Sequence, residues 1–253
     1  MTVTGTARLT DQVKKLAEGK GADLVGFAPV DRFDQAPESH HPSRVCKEAK
    51  TVVVLGRIVP RGVFSSPGYN LHLLHRSYHT LYPYLDELGL DLANHIEAEG
   101  YLAVQIPTFA PLVYHGLEPW GIISLKHAAV LAGLGAFGRS GLVYHPRYGS
   151  RLRLGAVVTS AAIPGDPLVA ENPCPPKCNA CHKACPAGAF NTGSFQKLTC
   201  MSYTIRHAIY PLALRDEAGQ RNIEMVINTA GYNYWLKCDE CLKVCPNDHP
   251  RTD

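Results

Sequence analysis

The sequence predicts an α+β protein in two parts, a sheet domain followed by a smaller module organised by cysteine. Segments with strand and helix patterns alternate up to about residue 160. The stretch Ile163–Lys177 then holds five prolines among 15 residues, and eight of the nine cysteines follow within residues 174–245. We therefore expect one domain over residues 1–165 and a cysteine-rich domain over residues 166–253.

Seven segments have the apolar pattern of a regular element. The predicted strands, which are β-branched or alternating, are Asp23–Ala28, Thr51–Val59, Tyr101–Ile106 and Arg151–Thr159. The predicted helices are Arg8–Glu18, Asn70–Glu99 and Ile123–Leu134. Because Pro83 lacks an amide proton and its ring crowds the preceding turn, we expect the long helix to be interrupted at Tyr82-Pro83.

Composition indicates an ordinary globular protein, with 253 residues of which 45% are hydrophobic and 19% charged. The net charge of +3 is compatible with an acidic partner or a nucleic acid but indicates neither, because the chain has no basic block, and we expect no nucleic-acid partner. The start of the chain lacks the apolar core of a signal peptide. The strongest apolar run, Thr51–Gly56, is far shorter than the roughly 20 residues that a membrane span needs. We expect a soluble, cytoplasmic protein with no membrane contact.

The cysteines form two runs with the spacing of iron–sulfur ligands. The first is Cys174-x3-Cys178-x2-Cys181-x3-Cys185-Pro186, and the second is Cys238-x2-Cys241-x3-Cys245-Pro246, with Cys200 between them. Zinc sites would not need two runs that each end in Cys-x3-Cys-Pro, and disulfides do not suit a cytosolic chain. The runs therefore predict two [4Fe–4S] clusters.

In two-cluster ferredoxins the cysteine before proline binds the other cluster. The same rule assigns Cys174, Cys178, Cys181 and Cys245 to cluster one. Cluster two then takes Cys185, Cys200, Cys238 and Cys241. Cys174 is the weakest assignment, because a ferredoxin run usually has two residues where this chain has three. Cys46, outside the runs, is interpreted as a buried, inert thiol.

Two such clusters, placed after a large sheet domain, predict a redox enzyme in which electrons pass to something that this domain binds. The segment Gly133-x-Gly135-x-x-Gly138 matches a dinucleotide fingerprint. It follows a helix rather than a strand, and no acid stands about 20 residues on, so we reject that reading. A glycine-rich turn that lies close to a large ligand remains the expectation.

Several stretches resemble the epoxyqueuosine reductases. They are Asp23–Pro29, Ala132–Val143, Tyr148–Ser150, Arg153–Thr159, Cys178–Ala189, Cys200–Ile205 and Lys237–Pro246. The resemblance covers nearly the whole chain, and the Cys-x-Ser-Tyr element at Cys200 is not found in plain ferredoxins.

This resemblance implies a nitroreductase-like, corrinoid-binding domain followed by a bacterial ferredoxin-like module, related to reductive dehalogenases and to the cobalamin-processing protein of animals. Two clusters would reduce a base-off cobalamin to Co(I), which reduces an organic substrate. Arg139 would lie near corrinoid amide or phosphate groups. The residues expected to line the corrinoid are Gly133, Leu134, Gly135, Phe137, Gly138, Arg139, Ser140 and Gly141.

Two departures from the family bear on the substrate. The family's Asp-Thr-Gly-Pro segment, whose acid donates a proton, is replaced here by Pro119–Ile122. The chain also ends eight residues after Cys245, where the family continues. Both departures predict that the substrate is not tRNA epoxyqueuosine.

A tyrosine beside a cation resembles the proton donor of reductive dehalogenases, so Tyr114 with Lys126 or His115 is the candidate catalytic group. The alternative interpretation is that Glu118 and Lys126 are solvated and that His127 packs on a helix face.

The sequence and the resemblance therefore predict a cobalamin-dependent iron–sulfur oxidoreductase that is oxygen-sensitive and works under anaerobic conditions. Its expected partners are a small-molecule substrate or corrinoid and an external electron donor such as ferredoxin or flavodoxin. The alternative is an electron-transfer or corrinoid-reducing protein that serves a partner and has no substrate of its own. A third possibility is a pocket that binds a flavin or nothing.

Overall fold

The computed structural model describes residues 3–115, 118–192, 195–206 and 235–246. Its strands are β1 Leu24–Pro29, β2 Thr51–Ile58, β3 Ala103–Ile106, β4 Val113–His115, β5 Glu118–Trp120, β6 Ala136–Phe137, β7 Val143–Tyr144, β8 Leu152–Thr159, β9 Ile205–Arg206 and β10 Trp235–Leu236. Its α-helices are α1 Val3–Gly19, α2 Arg61–Ser65, α3 Asn70–Ala98, α4 Leu125–Leu131, α5 Ala180–Lys183, α6 Lys197–Thr204 and α7 Glu240–Lys243.

The largest sheet has four strands in the order β1-β2-β8-β3, and every neighbouring pair is antiparallel. The longest pairing joins β2 to β8, from Thr51 opposite Thr159 to Ile58 opposite Leu152. These are the four strands that the sequence predicts. Helices and an antiparallel sheet together confirm the α+β class.

Helices cover both faces of this sheet, which explains why β2 is an unbroken apolar run. Successive residues of a strand point to opposite faces. Val53 and Leu55 belong to the core that α1 and α3 share, whereas Val52 and Val54 belong to the core that includes α4. All four side chains are fully buried. A strand that is buried on both faces therefore takes apolar residues at successive positions, and its buried Thr51 is accommodated by a hydrogen bond to the Ala161 carbonyl.

The long helix α3 is continuous over 29 residues, so the predicted interruption at Tyr82-Pro83 is wrong. Tyr78 and Leu85, on either side of Pro83, are both buried. Burial of apolar side chains along the helix outweighs the one hydrogen bond that a proline removes. The Tyr82 carbonyl also accepts a hydrogen bond from Thr108 Oγ1 at 3.2 Å, which holds this turn against the segment after β3.

Helix α4 is shorter than predicted, because a cap defines each end. The Ser124 side chain accepts a hydrogen bond from the His127 amide at the N-terminus. At the other end Gly133 has a φ of +70°, the left-handed conformation in which glycine commonly ends a helix. The chain then turns into the hairpin of β6 and β7.

Residues after β8 tie the sheet to the cysteine-rich part. Thr51 Oγ1 donates to the Ala161 carbonyl at 2.8 Å. The Asp166 carboxylate accepts from the Phe27 amide at 2.9 Å and contacts Lys14 Nζ at 3.4 Å. Further along, α5 contacts α7, and β9 pairs with β10. Among the described residues, no helix has the length and apolar character to cross a membrane.

Candidate iron–sulfur site and its surroundings

The structure gathers the eight cysteines of the two runs around two cavities. Cys174, Cys178, Cys181 and Cys245 line the first cavity. Cys185, Cys200, Cys238 and Cys241 line the second. All nine cysteines of the chain are free thiols, so no disulfide competes for them. Four thiols line each of the two cavities, which is the number of ligands that a [4Fe–4S] cluster takes, and their role as ligands stays a prediction.

The exchange of one cysteine between the runs follows from two short helices that pack together. Helix α5 carries Cys181 and is followed by Cys185, whereas α7 carries Cys241 and is followed by Cys245. Residues four apart on a helical turn are neighbours but face slightly different directions. Cys185 therefore lies with the second run, and Cys245 lies with the first.

The longer spacing at the start of the first run is absorbed by a local turn. The Cys178 amide donates to the Pro175 carbonyl at 3.1 Å, and Lys177 has a φ of +61°. A left-handed residue without glycine is uncommon and is retained where the surroundings require it. Asn172 Oδ1 fixes the other end by accepting from the Cys174 amide at 2.9 Å. Cys174 thus reaches the first cavity despite the extra residue.

Hydrogen-bond donors already point at three of the sulfur atoms. The Arg139 amide lies 3.2 Å from Cys174 Sγ, and the Ala189 amide lies 3.4 Å from Cys185 Sγ. The Thr204 hydroxyl lies 3.7 Å from Cys200 Sγ. Such donors stabilise negative charge on sulfur, and at cluster sites they help to set the reduction potential.

Burial makes the metal-free thiols poor acids. It raises the pKa of Cys181, Cys200 and Cys238. For Cys241 burial, with a smaller effect from the neighbouring cysteines, raises the pKa to about 12. Four thiolates cannot share such a site without a compensating cation. A bound cluster would supply that charge when its iron ions displace the thiol protons.

Lys126 is the predicted catalytic residue that the structure brings to a cysteine cavity. It lies on α4, and its ammonium donates to the Gly141 carbonyl at 2.8 Å. The same ammonium lies 5.7 Å from the centre of the Phe195 ring. Lys126 lines the second cavity together with the four cysteines, and burial lowers its pKa. It is a half-buried cation beside the second cysteine group rather than a solvated lysine.

Tyr114 and His115 are not among the residues that line that cavity. They are neighbours on β4, so their side chains point to opposite faces of the β4–β5 hairpin. His115 Nε2 lies 3.0 Å from His40 Nε2, and the His40 ring stacks on Trp120 at 4.8 Å. The structure therefore pairs His115 with His40, not with Tyr114. The catalytic role of Tyr114, His115 and Lys126 stays a prediction.

His40 is a residue that sequence reasoning missed. It is 6% exposed, although it lies in a short polar segment with no periodic pattern. Its partner is 75 residues away in the chain, so no local signal identifies the pair.

The glycines of the Gly133–Gly141 segment face the chain's own atoms. A Cβ at Gly133 would lie 2.1 Å from the Pro167 carbonyl oxygen, and one at Gly135 would lie 2.3 Å from that of Tyr144. A Cβ at Gly138 would meet the Tyr144 ring at 2.3 Å. Close packing within the fold therefore explains these glycines, and the close approach expected of a large ligand is not needed to explain them.

Arg139 and Ser140 support the cysteine loops. Arg139, expected near corrinoid amide or phosphate groups, donates from its amide to Cys174 Sγ and from its guanidinium to the Cys178 carbonyl at 2.8 Å. Ser140 lines both cavities. Leu134 is buried, and the Phe137 ring lies 4.8 Å from that of His127. Both side chains thus contact the chain itself. Contact of this segment with a corrinoid stays a prediction.

Residues 174–248 match the family described as "4Fe-4S double cluster binding domain". Curated relatives along most of the chain are named epoxyqueuosine reductase. That of Staphylococcus aureus is 30% identical over 277 residues, covering 96% of this chain and 65% of the relative. That of Listeria monocytogenes is 26% identical over 250 residues, covering 92% and 56%. The chain thus spans between about half and two thirds of the length of these relatives.

Solved structures show the same fold. An epoxyqueuosine reductase with an epoxyqueuosine-modified tRNA stem loop has a TM-score of 0.67 at 20% identity, over 96% of this chain and 66% of that one. The reductive dehalogenase solved with 3-bromo-4-hydroxybenzoic acid has a TM-score of 0.54 at 18% identity, over 72% of this chain and 25% of that one. The chain is therefore similar to the epoxyqueuosine reductases along most of its length and shares a fold with them and with the reductive dehalogenases, and its residues 174–248 match a double [4Fe–4S] cluster-binding domain.

Proposed function

We propose that the chain is an oxidoreductase in which two [4Fe–4S] clusters deliver electrons to an acceptor held by the sheet domain. The observation that carries this proposal is the grouping of the eight cysteines, four around each of two adjacent cavities. We assign cluster one to Cys174, Cys178, Cys181 and Cys245. We assign cluster two to Cys185, Cys200, Cys238 and Cys241. We retain the division of the chain near residue 165 as part of the proposal.

The second cavity supports a direction for the electrons. Beyond its cysteines it is lined by residues of the sheet domain, among them Tyr78, Tyr82 and Arg153. The first cavity is also lined by sheet-domain residues, namely Arg139, Ser140 and Tyr144, but by none from α3 or β8. Because, of these two cavities, only the second reaches α3 and β8, we assign cluster two the transfer to the acceptor.

We propose that the acceptor is a cobalamin. One solved structure of similar fold is described as suggesting a mechanism for B12-dependent dehalogenation. When bound, a corrinoid supplies a low-valent cobalt that reduces an organic substrate. The second cavity, at ≈ 260 Å³, is smaller than the roughly 300–1,000 Å³ of ordinary small-molecule sites. This volume suits a cluster with its cysteines, so we place no corrinoid atom in the cavity. Lys126 and Arg153, which line the cavity, would lie between the cluster and the acceptor.

Two candidate functions remain, and they differ in whether the protein has a substrate of its own. The relatives are named epoxyqueuosine reductases, and one was solved with a tRNA stem loop, so our expectation that nucleic acid is not a partner loses its support. The remaining argument against that substrate is Pro119, which stands where the family's acid is expected and pairs with Tyr114 in the β4–β5 hairpin. Epoxyqueuosine-modified tRNA is therefore the first substrate to test. A corrinoid-reducing protein without its own substrate is the second candidate, favoured by Pro119.

Anaerobic reconstitution tests the cluster assignment. The wild-type chain should bind about eight iron and eight sulfide, with the broad absorption of [4Fe–4S] clusters. Cys178→Ser and Cys238→Ser should each lose about half of the iron, because each removes one ligand from a different cluster. Cys46→Ser is the matched control and should keep all of it. Binding of zinc in place of iron, or equal loss in the control, would refute the assignment.

Addition of cobalamin to the reconstituted protein tests the acceptor. We expect binding, followed by the visible spectrum of Co(I) on reduction. Turnover of epoxyqueuosine-modified tRNA would support the first candidate, and Co(I) formation without any turnover would support the second. Failure to bind cobalamin would remove the corrinoid from both.

A further inference from the structure

We propose that the surface formed by Arg139, Lys177 and Lys183 beside cluster one is the docking site of an acidic one-electron carrier protein. This inference rests on the proposed function, because it requires cluster one to be present. It goes beyond that function by naming the surface through which electrons enter and the charge of the partner that it fits.

The first cysteine loop carries its positive charge outward. Arg139, Lys177 and Lys183 are all exposed. No acidic residue occurs between Cys174 and Cys185, where Lys177 and Lys183 lie. Within the described part of the chain, neither lysine is held in an ion pair. The charges are therefore available to a partner.

The second cysteine loop is different. Asp239 and Glu240 stand in it, and Lys243 Nζ lies 2.9 Å from the Asp239 carboxylate and 3.1 Å from that of Glu240. Asn70 also donates to Asp239 at 3.0 Å. Lys237, before Cys238, is exposed, so residues 237–245 carry two lysines and two acids and have no net charge. The asymmetry between the loops is therefore one of net charge, which is positive beside the first cysteine group and balanced beside the second.

This basic surface is joined directly to the sulfur atoms of the first group. The Arg139 amide is 3.2 Å from Cys174 Sγ, and its guanidinium bonds the Cys178 carbonyl at 2.8 Å. Cys174 and Cys178 are themselves only half-buried. A carrier bound here would lie next to the loop that holds Cys174 and Cys178, two of the ligands that we assign to cluster one. In the transfer, the carrier loses one electron and cluster one gains it, without a proton and without breaking a bond.

A carrier protein fits this surface better than a nucleic acid does. Electron-transfer complexes are small and transient, and complementary charge mainly raises their rate of association. A cluster of cations around one loop contributes to that steering. Nucleic-acid binding in contrast draws on many phosphate contacts along a longer basic track.

Stopped-flow reduction of the reconstituted wild-type protein by a purified acidic flavodoxin tests the surface. The double variant Lys177→Glu with Lys183→Glu should be reduced at least tenfold more slowly at low ionic strength. The difference should shrink in about 1 M salt, where charges are screened beyond about 3 Å. Lys47→Glu with Lys50→Glu is the matched control, because both lysines are exposed and lie far along the chain from the eight cysteines of the two runs. It should keep the wild-type rate.

The controls separate the surface from the clusters. Iron content, absorption and reduction by a small chemical reductant in high salt should be the same in all three proteins. If the double variant holds its clusters and is reduced as fast as the control, the docking surface is refuted and the clusters stand. A loss of tRNA binding in the double variant, with the reduction rate unchanged, would assign the surface to nucleic acid instead. Absence of clusters from the wild type would refute both the proposed function and this surface.

Discussion

Replacing Lys126 by methionine should lower the reduction potential of cluster two. The side chain is half-buried, lines the second cavity with all four cysteines of that group, and donates to the Gly141 carbonyl. Reduction adds negative charge to a cluster, and a nearby ammonium stabilises the reduced form. Methionine keeps an unbranched apolar stem of similar length but carries no charge, so the change removes the electrostatic effect with little loss of packing.

The expected shift follows from Coulomb's law. Two unit charges 4 Å apart interact by about 4 kcal/mol at an effective dielectric constant of about 20, and by about half of that at twice the separation. Cluster charge is spread over many atoms, and solvent reaches this half-buried site, so roughly 1–2 kcal/mol is the realistic range. For a one-electron couple, where tenfold in the equilibrium constant is 59 mV, this corresponds to a fall of roughly 40–90 mV.

Redox titration followed by electron paramagnetic resonance measures this shift. Lys126→Arg keeps the positive charge and should stay near the wild-type potential. Lys50→Met removes an exposed charge that lines neither cysteine cavity and should change nothing. The cluster-one signal serves as an internal reference, since only cluster two shares a cavity with Lys126. Equal potentials in Lys126→Met and the wild type, with both clusters intact, would show that the ammonium does not act on cluster two.

Three further changes test the fold around the site. Gly135→Ala should destabilise the protein by at least about 2 kcal/mol in thermal unfolding. The reason is that its Cβ would lie 2.3 Å from the Tyr144 carbonyl oxygen, at a backbone φ of +154°. Gly62→Ala, with open space around it, is the control and should be neutral. Asp166→Ala should cost about 1–2 kcal/mol in urea unfolding, because the Phe27 amide loses its acceptor, and an unchanged midpoint would contradict this anchor. Iron removal by a chelator should abolish amide-exchange protection in α5 and α7, which have four residues each, but leave β2 protected; equal loss in both regions would show that the sheet depends on the clusters.

The main sheet was predictable because its signal is local. Thr51–Ile58 is apolar at nearly every position, and a run that is buried on both faces has few alternatives to a strand. The fate of Pro83 was not predictable in the same way. The rule that a proline disrupts a helix considers only the preceding turn, whereas burial of residues such as Leu85 and Leu92 against the sheet decided the outcome.

The two groups of cysteines were also predictable from spacing, and the structure brings together the same two sets of four. The spacing rule works because it describes a short loop and helical turn that carry their own geometry. Contacts between distant segments carry no such signal. The approach of His40 to His115, and of Lys126 to the second cysteine group, depends on how the β4–β5 hairpin and α4 pack.

The glycine-rich segment has a structural role that its resemblance to a cofactor loop conceals. Gly135 and Gly138 let β6 and the following turn pack directly on Tyr144. That turn carries Arg139 and Ser140 between the sheet and both cysteine cavities. A side chain at either glycine would push the turn outward and move the amide that points at Cys174 Sγ. The glycines of this stretch are therefore explained first by the packing of the turn on Tyr144 and beside the cysteine loops, and contact of the segment with a corrinoid stays a prediction.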